Sequence, residues 1–484
     1  MTQYKPTIGL EIHTELKTKT KMFCGCLNFS ANLEQAENQP NINICPICLA
    51  HPGTLPAPNK EAIKSVIKLG LALKGKIAEI SKFDRKNYFY PDLPKGYQIS
   101  QYDQPFIFGG MLNSVKITRV HLEEDTARLI HSEDGKSSLV DFNRAGVPLM
   151  ELVTEPDIKN GKEAVDFAKE LRLILKYLGI SDADMEKGQM RVEANISISK
   201  DEKFGTKVEI KNLNSFRAVE EAIDYEIKRQ EDILEGGEKV IQETRGWDEN
   251  KKLTFSQRLK EEAHDYRYFP EPDIPPFDFS KSDFIDIEKL KSFIPELPNQ
   301  KRQRFTKEYN LKPEQVEIFI EDRNLAEYFE ESVSELLSEI GEGNREKNIN
   351  TLFNYLTSDV KGYLNELKIG IESLKITPEN FSDLIILVIK SEISSRIAKD
   401  LIKDMHLTGN DPRQIIEEKG LGQVSDEGII KKAVEEIIAE NPTAANDYRQ
   451  GNENVLQFLI GKSMAKLKGR GNPEKIKKII KEQI

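Results

Sequence analysis

Four short segments of the chain alternate between apolar and polar residues, which is the pattern of β-strands with one buried face. These segments are residues 8–16, 115–125, 191–197 and 207–211. If the four strands share one sheet, its polar face collects Glu11, His13, Glu193 and Glu209. Mg²⁺ prefers carboxylate and water oxygens and keeps open positions for phosphate, so this face predicts a site for a hard divalent cation.

The polar face also has a simpler interpretation, because a half-buried antiparallel sheet exposes one face to water. Two further features favour a site. Residues 121–125 place three acids in a row at a strand end, where bound metal or nearby cations relieve their repulsion. Glu151 lies within residues 148–153, a strand predicted to be buried on both faces, and a buried carboxylate is costly unless it is paired or coordinates an ion.

At 484 residues the chain is too long for one hydrophobic core, and its pattern predicts an α+β protein of several domains. Residues 1–293 mix strands with helices, so we expect a cradle domain with a mixed, largely antiparallel β-sheet. The helices expected there are residues 59–73, 161–178 and 215–234. Pro-rich loops then mark an exit, and the helical remainder predicts an all-α domain at 294–405 and a small all-α tail domain at 406–484.

Composition and charge narrow the class of protein. The chain has no apolar run long enough to span a bilayer and begins without an apolar signal segment, so we expect a soluble, cytoplasmic protein. A formal net charge of −11 disfavours a nucleic-acid clamp made by the whole protein. Residues 462–484, however, hold eight basic residues against two acidic ones. That segment either follows a phosphate backbone or forms a solvated helix face.

All four cysteines lie within one loop, residues 24–48, as two closely spaced pairs. They are Cys24, Cys26, Cys45 and Cys48. Two such pairs predict a tetrahedral zinc site with four thiolate ligands. Two disulfides are the alternative, which a cytosolic compartment disfavours. A closed four-thiolate site leaves no position for a substrate, so we expect the zinc to be structural.

Five motifs together carry a resemblance to a known family. They are Gly9-Leu10-Glu11-Ile12-His13, the segment 82–92 that runs from Lys82 to Asp92, His121-Leu122-Glu123-Glu124-Asp125, Lys211-Asn212-Leu213-Asn214-Ser215 and the segment 265–273 that runs from Asp265 to Asp273. This set resembles GatB, the second subunit of the aspartyl/glutamyl-tRNA amidotransferases. The match runs along the whole chain and includes the helical tail, which implies that the tail binds tRNA.

The resemblance implies a specific activity. Such a protein binds Glu-tRNA(Gln) or Asp-tRNA(Asn), phosphorylates the side-chain carboxylate with ATP, and lets ammonia displace the phosphate to form the amide. An amidase (glutaminase) partner supplies the ammonia through a channel, and a small third subunit holds the two together. The chain has no Gly-x-x-x-x-Gly-Lys-Ser/Thr phosphate loop and no Gly-Ser-Ser-rich amidase stretch, so we expect another mode of ATP binding and a separate source of ammonia.

The resemblance also implies which residues bind Mg²⁺. They are Glu11, His13, Glu124, Glu151, Glu193 and Glu209. Glu193 departs from the family pattern, in which Asp is expected. Glu123 and Glu124 are interchangeable in this role, because neighbouring strand residues face opposite sides.

Other charged and aromatic residues keep two interpretations. Lys86 and Tyr88, on a strand predicted over residues 82–92, belong to an aromatic-rich surface strand or, as the resemblance implies, guide ammonia or hold phosphate oxygens. Three basic residues either screen the polyphosphate or only balance neighbouring glutamates across strands. These are Arg191, Lys207 and Lys211. The alternative function is a non-catalytic tRNA-binding module with a solvated acidic face.

Overall fold

The structure is a computed structural model that describes residues 4–28, 39–132, 134–201, 203–259, 266–281, 284–421, 427–467 and 470–484. Asp265, the first residue of the fifth motif, lies outside these residues. The chain divides into two compact units, Met1–Gln300 and Lys301–Ile484. Among the described residues, no helix combines the length and the apolar character that a bilayer crossing requires.

The first unit is built on a large sheet. The strands within the described ranges are β1 (Lys5–Glu15), β2 (Lys76–Ile77), β3 (Ile80–Ser81), β4 (Asp84–Asn87), β5 (Tyr97–Ser100), β6 (Ile107–Phe108), β7 (Met111–Leu112), β8 (Val115–Glu124), β9 (Arg128–His131), β10 (Ser138–Asp141), β11 (Pro148–Thr154), β12 (Met190–Ser199), β13 (Val208–Leu213), β14 (Glu243–Asp248), β15 (Leu253–Leu259), β16 (Phe269–Pro270) and β17 (Phe277–Asp278). Ten of them form one sheet in the order β15-β14-β13-β12-β1-β11-β8-β6-β2, with β7 paired to β8.

Helices flank the sheet in the first unit and make up the second. Those of the described chain are α1 (Lys60–Ala72), α2 (Gly161–Tyr177), α3 (Phe216–Glu235), α4 (Ile287–Ser292), α5 (Pro298–Tyr309), α6 (Pro313–Glu321), α7 (Arg323–Ile340), α8 (Arg345–Asn354), α9 (Lys361–Leu367), α10 (Pro378–Ile389), α11 (Ser395–Thr408), α12 (Pro412–Lys419), α13 (Glu427–Glu440), α14 (Pro442–Arg449), α15 (Asn454–Lys466) and α16 (Pro473–Gln483). A π-helical turn, Tyr355–Val360, joins α8 to α9.

This architecture confirms the predicted α+β class with a mixed, largely antiparallel sheet, since the β13–β14 pair is parallel and the other pairs are antiparallel. The three predicted helices of the first unit form as α1, α2 and α3. Each begins where a side chain caps free backbone N–H groups, at Asn59, Asn160 and Ser215. The apolar stripe of α2 packs in the same core as the inward residues of β1, which leaves the other sheet face polar.

The predicted strand over residues 82–92 is too long, because only β4 forms. Beyond it the chain turns back: the Tyr88 N–H donates to the Gly96 carbonyl and the Leu93 N–H to the Tyr90 carbonyl. Two prolines within residues 88–96 cannot donate to a strand ladder, so a loop replaces the rest of the strand.

Two features of the β1 and β13 pairings position the polar face. Glu11 lies opposite Glu193, and His13 lies between Arg191 on β12 and Glu151 on β11. The β12–β13 register shifts between Val192 and Ala194, where β13 carries an extra residue and Asn212 has a positive φ of 59°. This is a β-bulge beside the acidic residues, a feature that often re-aims side chains at sites.

The last helices of the second unit pack around their own apolar cluster. Ile430 of α13, Leu459 of α15 and Ile476 of α16 are buried together in it. The predicted boundaries at residues 293 and 405 stay predictions.

Candidate active site

The centre of the polar face holds two imidazoles on one carboxylate. His13 Nε2 and His121 Nε2 each lie 3.3 Å from the same oxygen of Glu151, Oε2. Glu123 lies 3.9 Å from both rings, and the Ser100 hydroxyl donates to it at 3.0 Å. We name His13, His121, Glu123 and Glu151 the histidine–carboxylate cluster. Three adjacent central strands, β1, β11 and β8, supply it.

Electrostatics within the histidine–carboxylate cluster favour the charged forms of His13 and Glu151. Burial alone would lower the pKa of His13, but Glu151 and Glu123 outweigh it and raise that pKa to about 9. Burial likewise opposes ionisation of Glu151, yet His121 and His13 hold its pKa well below the usual range. The Nδ1 atoms of both histidines are buried and have no hydrogen-bond partner among the described residues. The cluster is therefore polar, ionic and incompletely satisfied.

A second group of carboxylates lies beside the first. Glu11, Glu193 and Glu209 each offer an oxygen within 4.8 Å of the others, and we name them the triglutamate cluster. Lys211 lies 2.8 Å from Glu193 and 3.3 Å from Glu209, and the Asn195 amide donates to Glu11 at 2.8 Å. The contact with Lys211 does not balance the three acids, which keep an excess of negative charge. Each of the two clusters groups residues that could hold a metal ion.

The pKa of Glu11 shows the effect of this crowding. Burial raises it, and the charges of Glu151 and Glu193 raise it further. An isolated cluster of carboxylates would therefore resist full ionisation, whereas a cation among the three would favour it.

Glu124 lies apart from both clusters. Its carboxylate accepts from the Lys95 ammonium at 2.8 Å and from the Ile99 backbone N–H at 3.0 Å. Glu123, rather than Glu124, faces the histidines, because Glu123 and His121 are two residues apart on β8 and therefore point to the same face of the sheet. The structure thus gathers five of the six predicted ligand residues on one face and places Glu123 where Glu124 was expected.

Lys86 adjoins the histidine–carboxylate cluster. Burial opposes its charge, but Glu123 and Glu151 raise its pKa. Its ammonium lies 4.9 Å from the ring centre of Tyr266 and 5.9 Å from that of Tyr88. Tyr88 itself contacts Gln98, with 3.4 Å between the hydroxyl and the amide oxygen. Both predicted residues therefore lie near the site.

The three predicted basic residues differ in position. Lys211 contacts the triglutamate cluster directly, as described above. Arg191 lies 3.6 Å from Asp125. Lys207 is exposed. Burial opposes ionisation of Glu209, but Lys211, with a smaller contribution from the charge of Lys207, lowers its pKa.

A buried acid pair that the sequence did not predict lies at the end of β1. Arg144 contacts Asp125 at 2.9 Å and Glu15 at 4.0 Å. Burial opposes ionisation of Asp125, but Arg144 and Arg191 hold its pKa at about 2. Burial and the neighbouring Asp125 raise the pKa of Glu15 to about 7. The same period-two alternation that selected Glu11 and His13 also includes Glu15.

The pKa of Glu15 predicts a pH-dependent stability. Because it is raised in the folded state, its contribution is full below pH 4.5 and is lost as pH rises through 7. Glutamine at position 15 cannot ionise, so the Glu15→Gln variant avoids this loss. As pH rises from 4.5 to 8, we expect its unfolding free energy to increase by about 2 to 3 kcal/mol relative to that of the unmodified chain, since one pKa unit corresponds to about 1.4 kcal/mol. Urea titrations at both pH values measure this difference. The control Glu238→Gln, at an exposed position, should not change in stability relative to the unmodified chain between the two pH values. If the stability difference between Glu15→Gln and the unmodified chain is the same at both pH values, the assignment is contradicted.

The four cysteines converge as predicted from their spacing. The Cys48 sulfur lies 3.4 Å from that of Cys24, 3.6 Å from that of Cys45 and 3.7 Å from that of Cys26, and the four are free thiols. The Lys21 ammonium is buried behind them, 3.7 Å from the Cys48 sulfur. The Cys24 hydrogen bond and Lys21 together outweigh burial and lower the pKa of Cys48 to about 4. This group could hold a metal ion.

Together, these features define a class of protein: an α+β fold whose sheet carries a charged, metal-capable site on one face, with a separate four-cysteine group and a helical second unit.

Comparison with known proteins identifies the family. Residues 6–285 match the family model described as the GatB/GatE catalytic domain, and residues 328–484 match the model described as the GatB domain. The chain therefore belongs to the GatB family, which confirms the resemblance seen in its motifs.

Curated relatives cover the chain from end to end. Proteins named as the B subunit of aspartyl/glutamyl-tRNA(Asn/Gln) amidotransferase from Persephonella marina and Thermotoga petrophila are 45% and 46% identical, and the alignments cover 99% of this chain and 99% of each relative. The protein of the same name from Caldicellulosiruptor saccharolyticus is 43% identical over 100% of this chain and 99% of its own length.

Proposed function

We propose that this chain is the activating and amidating component of a tRNA-dependent amidotransferase. It uses ATP to phosphorylate the side-chain carboxylate of Glu-tRNA(Gln), Asp-tRNA(Asn) or both, and ammonia then displaces phosphate to give the amide. The observation that carries this proposal is the convergence of the histidine–carboxylate and triglutamate clusters on one sheet face in a chain of this family.

The triglutamate cluster fits Mg²⁺. Its three carboxylates carry more charge than the contacting Lys211 balances, and burial with mutual repulsion raises the pKa of Glu11, so a hard divalent cation would relieve the crowding. Glu11, Glu193 and Glu209 would hold the ion, and His13 lies next to them. A Mg²⁺ ion held there would supply neutralisation of phosphate charge and orientation of phosphate oxygens.

Cationic side chains complete the site. Lys86 and protonated His13 place positive charge beside Glu151, and Lys211 does so beside Glu193. Phosphoryl transfer depends mainly on positioning and charge neutralisation, so fixed cations at the edge of the site stabilise the oxygens on which charge develops. Glu151 fixes both imidazoles and thereby sets their orientation.

The four cysteines fit structural zinc. Zn–S bonds of about 2.3 Å in a tetrahedron place the sulfurs about 3.8 Å apart. The distances from Cys48 to the other three, 3.4 to 3.7 Å, come close to this value. All four ligands would be protein thiolates, so the ion would stabilise its loop without contacting substrate.

Partners follow from what the chemistry requires. We infer that ammonia comes from a separate amidase (glutaminase) partner, that a small third subunit joins the complex, and that the complex acts in the cytoplasm. The names of the relatives, which describe them as subunits, support a multi-subunit assembly.

Reconstitution tests the proposed function. The chain is combined with ATP, Mg²⁺, glutamine, its two protein partners and each mischarged tRNA separately. Amide formation on at least one of them, dependent on this chain and on ATP, is expected, and the difference between the two tRNAs gives the substrate preference. Binding of tRNA without any ATP-dependent step would instead indicate a non-catalytic tRNA-binding module.

We propose that the tail, residues 406–484, binds tRNA. On α16, Ile476, Ile479 and Ile480 are buried while Lys475, Lys478 and Lys481 are exposed on the opposite side. A row of lysines on a packed helix suits a phosphate backbone, because each contact releases counterions from the RNA.

Changing these three lysines to glutamine should weaken tRNA binding in a salt-dependent manner. We expect the slope of log affinity against log salt to fall by about 2 to 3, one step for each lost phosphate contact. Filter binding across a salt series measures it, and a chain ending at Gly409 should lose at least as much. The matched triple change at exposed Lys347, Lys368 and Lys375 should leave the slope unchanged; equal affinity for the α16 variant would contradict the assignment.

A further inference from the structure

Four tyrosines form a continuous row of ring contacts beside the site. Tyr88 meets Tyr266 at 5.8 Å between ring centres, Tyr266 meets Tyr268 at 6.1 Å, and Tyr268 stacks on Tyr102 at 4.4 Å with only 11° between the planes. We name this row the tyrosine ladder. Its members come from three separate parts of the sequence.

The ladder is open to solvent at both Tyr102 and Tyr266, whose exposed fractions are 54% and 39%. Two large aromatic rings held at the surface contribute little to a core, whereas a flat exposed ring is a surface on which another π-system can stack.

The buried side of the ladder adjoins the histidine–carboxylate cluster. Burial raises the pKa of Tyr268 to about 12, with Glu123 and Glu151 adding to the shift and Lys86 opposing it, so these groups lie within electrostatic reach of the Tyr268 hydroxyl. Lys86 also lies over the Tyr266 ring. A planar group on the ladder would therefore place attached phosphate or ester groups toward Lys86 and the carboxylates.

The ladder is held in place before any ligand binds. The Asn87 N–H donates to the Tyr266 carbonyl at 2.9 Å, and the Asn87 side chain donates to the Arg267 carbonyl at 2.9 Å. Arg85 makes two hydrogen bonds to buried Glu271, at 2.7 and 2.9 Å, which ties the segment after the ladder to β4. A rigid aromatic surface loses little entropy when it binds a planar ligand.

We propose that the tyrosine ladder is a stacking site for a purine base, with Tyr102 and Tyr266 as the contact rings. This inference rests on the proposed function, which supplies two purine ligands for the same site: the adenine of ATP and the terminal adenosine of the aminoacyl-tRNA. Base stacking on tyrosine is sequence-tolerant and matches a site whose specific chemistry lies at the neighbouring carboxylates.

Binding measurements on the full-length chain test the ladder. We expect Tyr102→Ala and Tyr266→Ala each to weaken the binding of one purine ligand by about 5- to 100-fold, which is the usual effect of removing one stacking ring. Calorimetric titration with ATP and Mg²⁺ forms one arm. The other compares tRNA(Gln) with the same tRNA lacking its terminal adenosine, and thermal unfolding monitors the fold of each variant. Loss confined to ATP identifies adenine as the ligand, whereas loss confined to intact tRNA identifies the terminal adenosine.

Two controls keep the test specific. Tyr102→Phe retains the ring and should bind like the unmodified chain. Tyr90→Ala removes a tyrosine that is 60% exposed and makes no ring contact with the ladder among the described residues. If the unmodified chain binds both ligands and the ladder variants bind them equally well, the ladder assignment is overturned. If the unmodified chain binds neither, the proposed function fails as well.

Discussion

Replacing Glu151 by glutamine should reduce ATP-dependent activation of the aminoacyl-tRNA by about 100- to 1000-fold, the range found when one fixed electrostatic group is lost from an active site. The reason lies in the contacts of this side chain, because one oxygen of Glu151 lies 3.3 Å from Nε2 of both His13 and His121. Without that negative charge, the pKa of His13 should fall toward its ordinary value, so the site loses a cation near neutral pH. Single-turnover formation of ADP with Mg²⁺ and mischarged tRNA measures the effect, while tRNA affinity should not change.

A matched control separates this chemical effect from a loss of stability. Glu226 on α3 is also buried and is hydrogen-bonded to Arg229 and Gln230. It has no part in the proposed chemistry. Glu226→Gln should lower the unfolding temperature without removing activation in the protein that remains folded. Full activity of Glu151→Gln would show that the polar face is only a structural ion network.

Replacing Cys48 by serine should remove the metal ion and destabilise the first unit. Purified chain is expected to contain about one zinc ion and the variant none, because Cys48 lies at the centre of the four sulfurs. The unfolding free energy should fall by at least about 2 kcal/mol, since binding energy of a structural metal contributes to folding. Elemental analysis and thermal unfolding provide the two readouts.

Chelation provides the control for this variant. A strong chelator should bring the unmodified chain to the unfolding temperature of Cys48→Ser and should not affect the variant itself. Equal zinc content in both proteins would contradict the four-thiolate site.

The sequence predicted much of the site because strand alternation is a strong geometric rule. It assigned Glu11, His13, Glu193 and Glu209 to one face, and the register of β1 with β12 brings Glu11 opposite Glu193. Spacing alone was also enough to group the four cysteines.

Other features depended on contacts that alternation does not encode. The choice between Glu123 and Glu124 required the absolute orientation of β8, which is fixed by its pairing with β11. The tyrosine ladder joins Tyr102 to Tyr268, two residues far apart in sequence, and only tertiary packing brings them together. The early end of β4 depended on turns around Pro91 and Pro94 that outweighed the strand preference of the aromatic residues.

The bulge in β13 places a length constraint on this part of the protein. The extra residue at Asn212 sets the pairing on either side of it, so Glu209 and Lys211 face the site while Leu213 returns to the core. A strand shortened by one residue here would turn one of these side chains to the opposite face. During divergence of the chain, this stretch should therefore accept changes of side chain far more readily than insertions or deletions.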